Sequence, residues 1–398
     1  MAGKLKYISL FCGCGGFDLG MDGKTFKCTA AFDINRHAVA VYNKNLSGVA
    51  RVRDLLLPLD VSATTPDIVL SGSPCQGFST AGKREINDPR NGLFLRAIDI
   101  AIELMPKVFV AENVYGILSG THKTEYMDIA INRLQHAGYK THLSVVDCRS
   151  LGMAQMRKRA LLFAWNTQND LVLSDLELKY VSLEEAIANI PPNTYNHNIS
   201  TCQATGICKI IAKNIQPGQK LSNVRGGKRA VHTWDIPEVY GDISQNERTV
   251  LETLMKARRQ IRNRNWGDAD PVSIKNLCSY LDFDPTRYIE SLQKKGYIRN
   301  KDETKLDLAN TFNGKFRRLR WDEPAVTVDT RFGSPMLFLH PTEHRAFTVR
   351  EAARVQGFPD NFIFDGPLHA QYEMVGNAVP PPLSIYIASL IKQLCRNA

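Results

Sequence analysis

The chain has 398 residues, 43% of them hydrophobic and 23% charged, which is the composition of a globular protein and not of a disordered or collagen-like one. No run of about 18 apolar residues marks a membrane span, and the segment from Met1 to Lys6 has no apolar leader core. A net charge of +10 favours a polyanionic partner, nucleic acid first, and nine irregularly spaced cysteines fit reduced thiols in a cytoplasm.

The length is enough for two or three domains. Tyr7 to Phe11 reads as a strand running into Cys12-Gly13-Cys14-Gly15-Gly16. A glycine-rich turn between strand and helix brings backbone N–H groups close to a ligand. It is not the dinucleotide fingerprint, because position 18 is Asp where the third glycine would stand. Cys12 and Cys14 are too close together, and lack partner ligands, for a zinc site, so no metal is expected.

A second strand, Cys28 to Phe32, ends in Asp33. An acid there takes ribose hydroxyls or caps the following helix. Asp54 closes a third short strand and reads equally well as a surface turn residue. The fourth strand, Asp67 to Leu70, leads into Ser71-Gly72-Ser73-Pro74-Cys75-Gln76-Gly77-Phe78-Ser79. A cysteine just past a strand end stands where open α/β sheets bind ligands, although a buried thiol of no chemical role explains it alone. Thr80 to Arg90 is polar, basic and turn-rich, which suggests a mobile loop.

A helix over 91–104 precedes the strand Pro106 to Ala111, which ends in Glu112-Asn113-Val114. Glu112 then faces the edge that carries Cys75, or caps a turn. After a helix over 124–137 and a strand over 142–147 comes Gln155-Met156-Arg157-Lys158-Arg159. In an extended segment 155, 157 and 159 share a face, which suits a phosphate or a base edge, or is a solvated basic strand. The alternation of strand and helix up to residue 165 predicts an α/β fold with a doubly wound, mostly parallel sheet.

Beyond residue 166 the pattern changes. Helices are expected over 247–262, 272–281 and 285–295, followed by a short β tail, an order that resembles a small winged-helix unit. Basic clusters there, among them Arg317-Arg318-Leu319-Arg320, suit a nucleic-acid surface or an ordinary solvated one. Regular pattern returns with a capped helix from Thr348 to Gly357, the turn Gly376 to Pro382 and an apolar last helix over 383–395.

Taken together, these motifs resemble the bacterial DNA (cytosine-5)-methyltransferases. The resemblance is carried by Phe11-x-Gly13-x-Gly15-Gly16, Pro74-Cys75-Gln76 with Phe78-Ser79, Asp88-Pro89-Arg90 with Leu93-Phe94, Glu112-Asn113-Val114, Gln155-x-Arg157-x-Arg159, Arg350-Glu351 through Gln356-Gly357-Phe358-Pro359, and Gly376-Asn377-Ala378-Val379. They cover about 7–165 and 320–398, in the family's order. The resemblance implies a Rossmann-like, S-adenosylmethionine-binding catalytic domain at 1–180, completed by 366–398. It also implies a DNA target-recognition domain at 181–365, with the winged-helix-like insertion at about 245–310.

By the same resemblance, Phe11, Gly13, Cys14, Gly16, Asp33, Ile34, Asp54, Pro74, Leu93, Asn377 and Val379 border the cofactor. Asp33 stands where Glu is frequent, and Ile34 where a larger aromatic is common. Cys75 is the nucleophile that adds to carbon 6 of cytosine, Glu112 meets ring nitrogen 3 and the exocyclic amine, Arg159 binds the carbonyl oxygen at position 2, and Arg157 helps hold the cysteine loop and a nearby phosphate, the last two roles being open to exchange. Gln76, Ser79, Lys83, Arg84 and Gln155 contact DNA, whose target base must be flipped out. The implied setting is restriction–modification: a cytoplasmic, nucleoid-associated monomer acting on duplex DNA beside a cognate endonuclease. A tRNA cytosine-5 methyltransferase and a DNA-gripping homologue without catalysis are the alternatives.

Overall fold

The computed structural model describes residues 3–21, 23–46, 48–59, 65–74, 91–263, 269–310 and 312–396. They form two compact units. The first is Met1–His197, Asp322–Arg331 and Val349–Ala398, and the second is Asn198–Trp321 and Phe332–Thr348.

The first unit is built on a seven-stranded sheet. Its strands are β1 (Leu5–Leu10), β2 (Phe26–Asp33), β3 (Ala50–Val52), β4 (Ile68–Ser71), β5 (Val108–Val114), β6 (Lys140–Asp147) and β8 (Lys158–Trp165), with the two-residue β7 (Gln155–Met156) pairing elsewhere. The order across the sheet is β3-β2-β1-β4-β5-β8-β6. Only β8 runs against its neighbours, antiparallel to both β5 and β6.

β4 and β5 are almost wholly buried, as parallel strands covered on both faces must be. Alternate residues feed two cores. Ile68, Leu70, Val108 and Val110 join Leu383, Ile387 and Ile391 of the last helix on one face. Val69, Phe109 and Ala111 join Phe94 and Ile98 of α2 (Gly92–Leu104) and Leu134 of α3 (Asp128–His136) on the other. The stretch Leu368–Leu394 is long and apolar enough to cross a membrane by length and composition only, and 72% of its most apolar window is buried inside the protein.

The boundaries differ from those expected at 180/181 and 365/366. The first unit runs on to residue 197, and the chain returns to it at 349 rather than 366. The reason is packing and hydrogen bonding. Helix Leu183–Ile187 packs against helix Val349–Val355. The fully buried Arg350 donates to the carbonyls of Tyr195, Pro359 and Phe362 at 3.0, 3.0 and 2.6 Å. The short strand Ala325–Val326 pairs with β7, which draws 322–331 into the same unit.

The second unit contains, in chain order, helix Gln245–Gln260, strand Val272–Ser273, helices Ile274–Ser279 and Thr286–Lys294, and strands Ile298–Asn300 and Lys305–Leu308. The three strands form one antiparallel sheet. Val272–Ser273 is a strand where the sequence suggested the start of a helix, because Ser273 caps the helix instead: its Oγ accepts from Asn276 N–H at 3.1 Å. Val250, Leu254, Leu277, Leu292, Leu306 and others give this segment its own core.

Candidate active site

The strand order reverses between β1 and β4, the switch point at which open α/β sheets bind ligands. A cavity of about 260 Å³ opens there. It is lined from the carboxyl ends of successive strands: Phe11 to Cys14 and Gly16 after β1, Asp33 and Ile34 at β2, Asp54 after β3, Gly72 to Pro74 after β4, and Glu112 in β5. Leu93, Asn377 and Val379 complete the wall. Every residue expected to border a cofactor therefore lines one cavity.

Phe11 takes a left-handed backbone, φ 54°, unusual for a bulky residue. Strain of this kind collects at ligand loops. Gly16 faces the backbone carbonyl of Val379 so closely that a Cβ would collide with it, so the loop and the C-terminal turn meet only through glycine. Burial pushes the Cys14 thiol up to about 12, so it serves as a neutral wall group.

Asp33 does not cap α1 (Arg36–Asn45). That cap is Asn35, whose Oδ1 accepts from His37 and Ala38 N–H at 3.0 and 3.3 Å. The Asp33 carboxylate accepts instead from Gly13 N–H at 2.9 Å and Asn35 N–H at 2.8 Å, one bond to each oxygen. It thus ties the glycine turn to the end of β2. Burial raises its carboxyl above the usual range, partly offset by those bonds. Ile34 beside it is 70% exposed, an apolar side chain presented to the cavity. Asp54 Oδ1 accepts from Leu56 N–H at 2.9 Å and so also shapes its own turn.

Glu112 and Arg159 meet at 2.7 Å, each side chain about nine-tenths buried. The register explains the pairing. β8 runs antiparallel to β5, and Arg159 stands opposite Val114, so the amino end of β8 lies at the carboxyl edge of the parallel strands. Both side chains line the cavity. Asn113 Nδ2 donates to Ser73 Oγ at 3.2 Å and holds the turn that leads to Pro74.

Gln155, Arg157 and Arg159 share a face, but the face looks inward. Gln155 is fully buried. Its Nε2 donates to the Val355 carbonyl at 2.9 Å and to Gln356 Oε1 at 2.5 Å, and its Oε1 accepts from Val328 N–H at 3.1 Å. Gln155 is therefore a scaffold residue and not a DNA contact. Arg157 lines the cavity but donates to the carbonyls of Val328 and Ala378, both at 3.0 Å. Its guanidinium thereby ties the 322–331 return and the C-terminal turn to the cavity wall. Gln356, which the sequence placed in a motif without a role, completes this clamp by donating to the carbonyls of Val375 and Ala378 at 2.9 and 3.3 Å. A glutamine immediately before the Gly357-Phe358-Pro359 helix stop is the available signal. Cys75, Gln76, Ser79, Lys83 and Arg84 lie outside the described residues.

The family model for C-5 cytosine-specific DNA methylases matches residues 5–393, nearly the whole chain. The chain belongs to that family. This cytosine-5 DNA methyltransferase is 29% identical to the type II methyltransferase M.DdeI of Desulfomicrobium norvegicum, over 99% of its own length and 90% of the relative's. It is 27% identical to the type II methyltransferase M.AgeI of Thalassovita gelatinovora, over 98% of this chain and 99% of that one. Among solved structures, a candidate DNA modification methyltransferase encoded within an E. coli prophage shares the fold, with a TM-score of 0.58, 21% identity and coverage of 98% and 99%. The methyltransferase binds duplex DNA, and its family implies use of S-adenosylmethionine.

Proposed function

We propose that the chain methylates carbon 5 of a flipped-out cytosine in one short duplex sequence, using S-adenosylmethionine as donor and Cys75 as nucleophile. The observation that carries this reading is the Glu112–Arg159 pair, set in the cavity wall beside Pro74, the residue that precedes Cys75 in the chain.

The cavity suits the donor. Asp33 presents a carboxylate with one bond on each oxygen, so lone pairs remain for ribose hydroxyls. The exposed Ile34 offers an apolar surface for adenine, and Asp54 an acceptor for its amino group. Phe11, Gly13, Cys14, Gly16, Leu93, Asn377 and Val379 close around them. When bound, S-adenosylmethionine supplies a methyl group on a cationic sulfur.

The chain's own groups do the rest. The Cys75 thiolate forms a bond to carbon 6, and the electron pair displaced makes carbon 5 enamine-like. Glu112 donates a proton or hydrogen bond to ring nitrogen 3, absorbing the charge that arrives with sulfur. Arg159, oriented by Glu112, binds the oxygen at position 2. After methylation, the carbon 5 proton leaves to a base and the thiolate departs, restoring the aromatic ring. Gln76, Ser79, Lys83 and Arg84 follow Cys75 closely in the chain and contact DNA phosphates and bases. Acting as a monomer on nucleoid DNA, the enzyme protects its host beside a cognate endonuclease.

The test is base-resolution mapping of 5-methylcytosine in plasmid from a methylation-free host, with Cys75→Ala in parallel. Methylation confined to one short motif and lost in the variant is the expected result. Methylation that persists in Cys75→Ala would overturn the mechanism. An unmethylated plasmid despite folded protein would overturn the substrate and send the search to tRNA.

A further inference from the structure

Segment 245–308 has an element order that the methylation chemistry does not use: helix, strand, helix, helix, strand, strand. Val272–Ser273 pairs with Lys305–Leu308, which pairs with Ile298–Asn300, all antiparallel. This is the topology of a winged helix-turn-helix, in which the third helix is the reading element and the final hairpin the wing.

Its geometry is fixed from inside. Glu247 Oε2 accepts from Ser244 N–H at 2.6 Å at the start of the first helix, and its Oε1 accepts from Ser291 Oγ and Lys295 Nζ, both at 2.7 Å, at the end of the third. Ile289 and Leu292 pack into the core. Those anchors turn the opposite stripe of Thr286–Lys294 outward: Thr286, Arg287, Glu290 and Lys294 are exposed, and Gln293 is half-buried beside them. Gln293 Nε2 donates to Asn300 Oδ1 at 2.6 Å, which locks the helix to the wing.

The stripe carries guanidinium, carboxylate and carboxamide groups, the three side-chain types that read guanine, cytosine and adenine edges in the major groove. Arg287, Lys294, Arg299, Lys301 and Lys305 are exposed cations, with Arg299 3.6 Å from Asp307. Asp282, Asp284, Glu290, Asp302 and Glu303 are exposed acids, so the surface is mixed in charge rather than uniformly basic.

We propose that this module is a second duplex-binding element: helix Thr286–Lys294 enters the major groove, and the 298–308 wing lies on the phosphates. It deepens the DNA reading above and rests on it, and it would add base pairs to the footprint beyond the methylated motif.

The experiment uses the full chain and duplexes bearing its mapped motif, one of about one helical turn and one of about four, at about 10 base pairs per turn. The wild type is expected to protect extra base pairs on the long duplex only. Arg287→Ala with Lys294→Ala should lose that extra protection and bind the long duplex about tenfold more weakly, with the melting temperature of the wild type. Arg299→Ala, Lys301→Ala and Lys305→Ala combined should lower the slope of log affinity against log salt by about 2–3. Unchanged footprint, affinity and slope in both variants would overturn the proposal, as would capture of a protein by this face with the DNA footprint unaltered. A wild-type chain that binds neither duplex would instead overturn the underlying DNA reading, and this one with it.

Discussion

Two buried arginine–carboxylate pairs sit in different settings. Glu112 and Arg159 meet at 2.7 Å in the first unit, and Arg258 and Asp307 meet at 2.6 Å in the second. Their burial is nearly the same. The first pair lines a cavity beneath a strand-order switch. The second joins the first helix of the three-helix segment to its last strand, within that segment's own core. Burial and pairing alone therefore do not mark a site. What separates the two is a space beside the pair for a third group. An ion pair next to a cavity can exchange its partner for a ligand, whereas one embedded in packing can only hold two elements together.

Substitutions that break each pair should separate them. Glu112→Gln is expected to slow turnover by about 10²–10⁴-fold, with cofactor affinity and melting temperature near those of the wild type. Single-turnover methylation and thermal melting read this; equal loss of both would mean that Glu112 serves folding. Asp307→Asn should show the reverse profile, because it removes the carboxylate from a buried ion pair, at a cost of about 3–5 kcal/mol. Hydrogen exchange should then speed up across 245–308, and an unaltered exchange pattern would contradict the assignment.

Two further buried carboxylates sharpen the contrast through pH. Burial pushes Asp18 up to about 6, only partly offset by hydrogen bonds from Ser9 and Tyr42. Its folded value lies above its unfolded one, so its contribution is present below about pH 4 and is lost as pH rises through 6. Glu247 behaves oppositely. Burial would raise it, but Lys295 and the Ser244 and Ser291 bonds outweigh that and hold it at about 2. Its contribution is present above about pH 4.5 and is lost as pH falls towards 2. At about 1.4 kcal/mol per pH unit, each amounts to about 3 kcal/mol. Stability against pH should flatten between 4 and 6 in Asp18→Asn and between 4.5 and 2 in Glu247→Gln, relative to the wild type. Identical curves would sink either assignment.

The smallest expected effect is at the cofactor end. Asp33→Asn keeps the acceptor for one N–H but loses the charge, and cofactor affinity should fall about tenfold by calorimetry. An unchanged affinity would place the ribose elsewhere.

Local chemistry determined much of this protein in advance. Strands between glycine turns, with an acid, a cysteine or a second acid at their ends, made both the sheet and the contents of its edge legible, because side-chain type and period are local properties. The same held for the three helices of 245–308, whose apolar spacing was plain. Direction was not local. Gln155 and Arg157 shared a face in the sequence, yet the tertiary structure turned that face onto the carbonyls of Val328, Val355 and Ala378. Only the return of 322–331 and 349–398 to the sheet supplied those acceptors. Likewise, an antiparallel β8 was needed to bring Arg159 to Glu112. Which groups stand at a strand end is written along the chain; which of them are left free for a ligand is decided by what else folds against them.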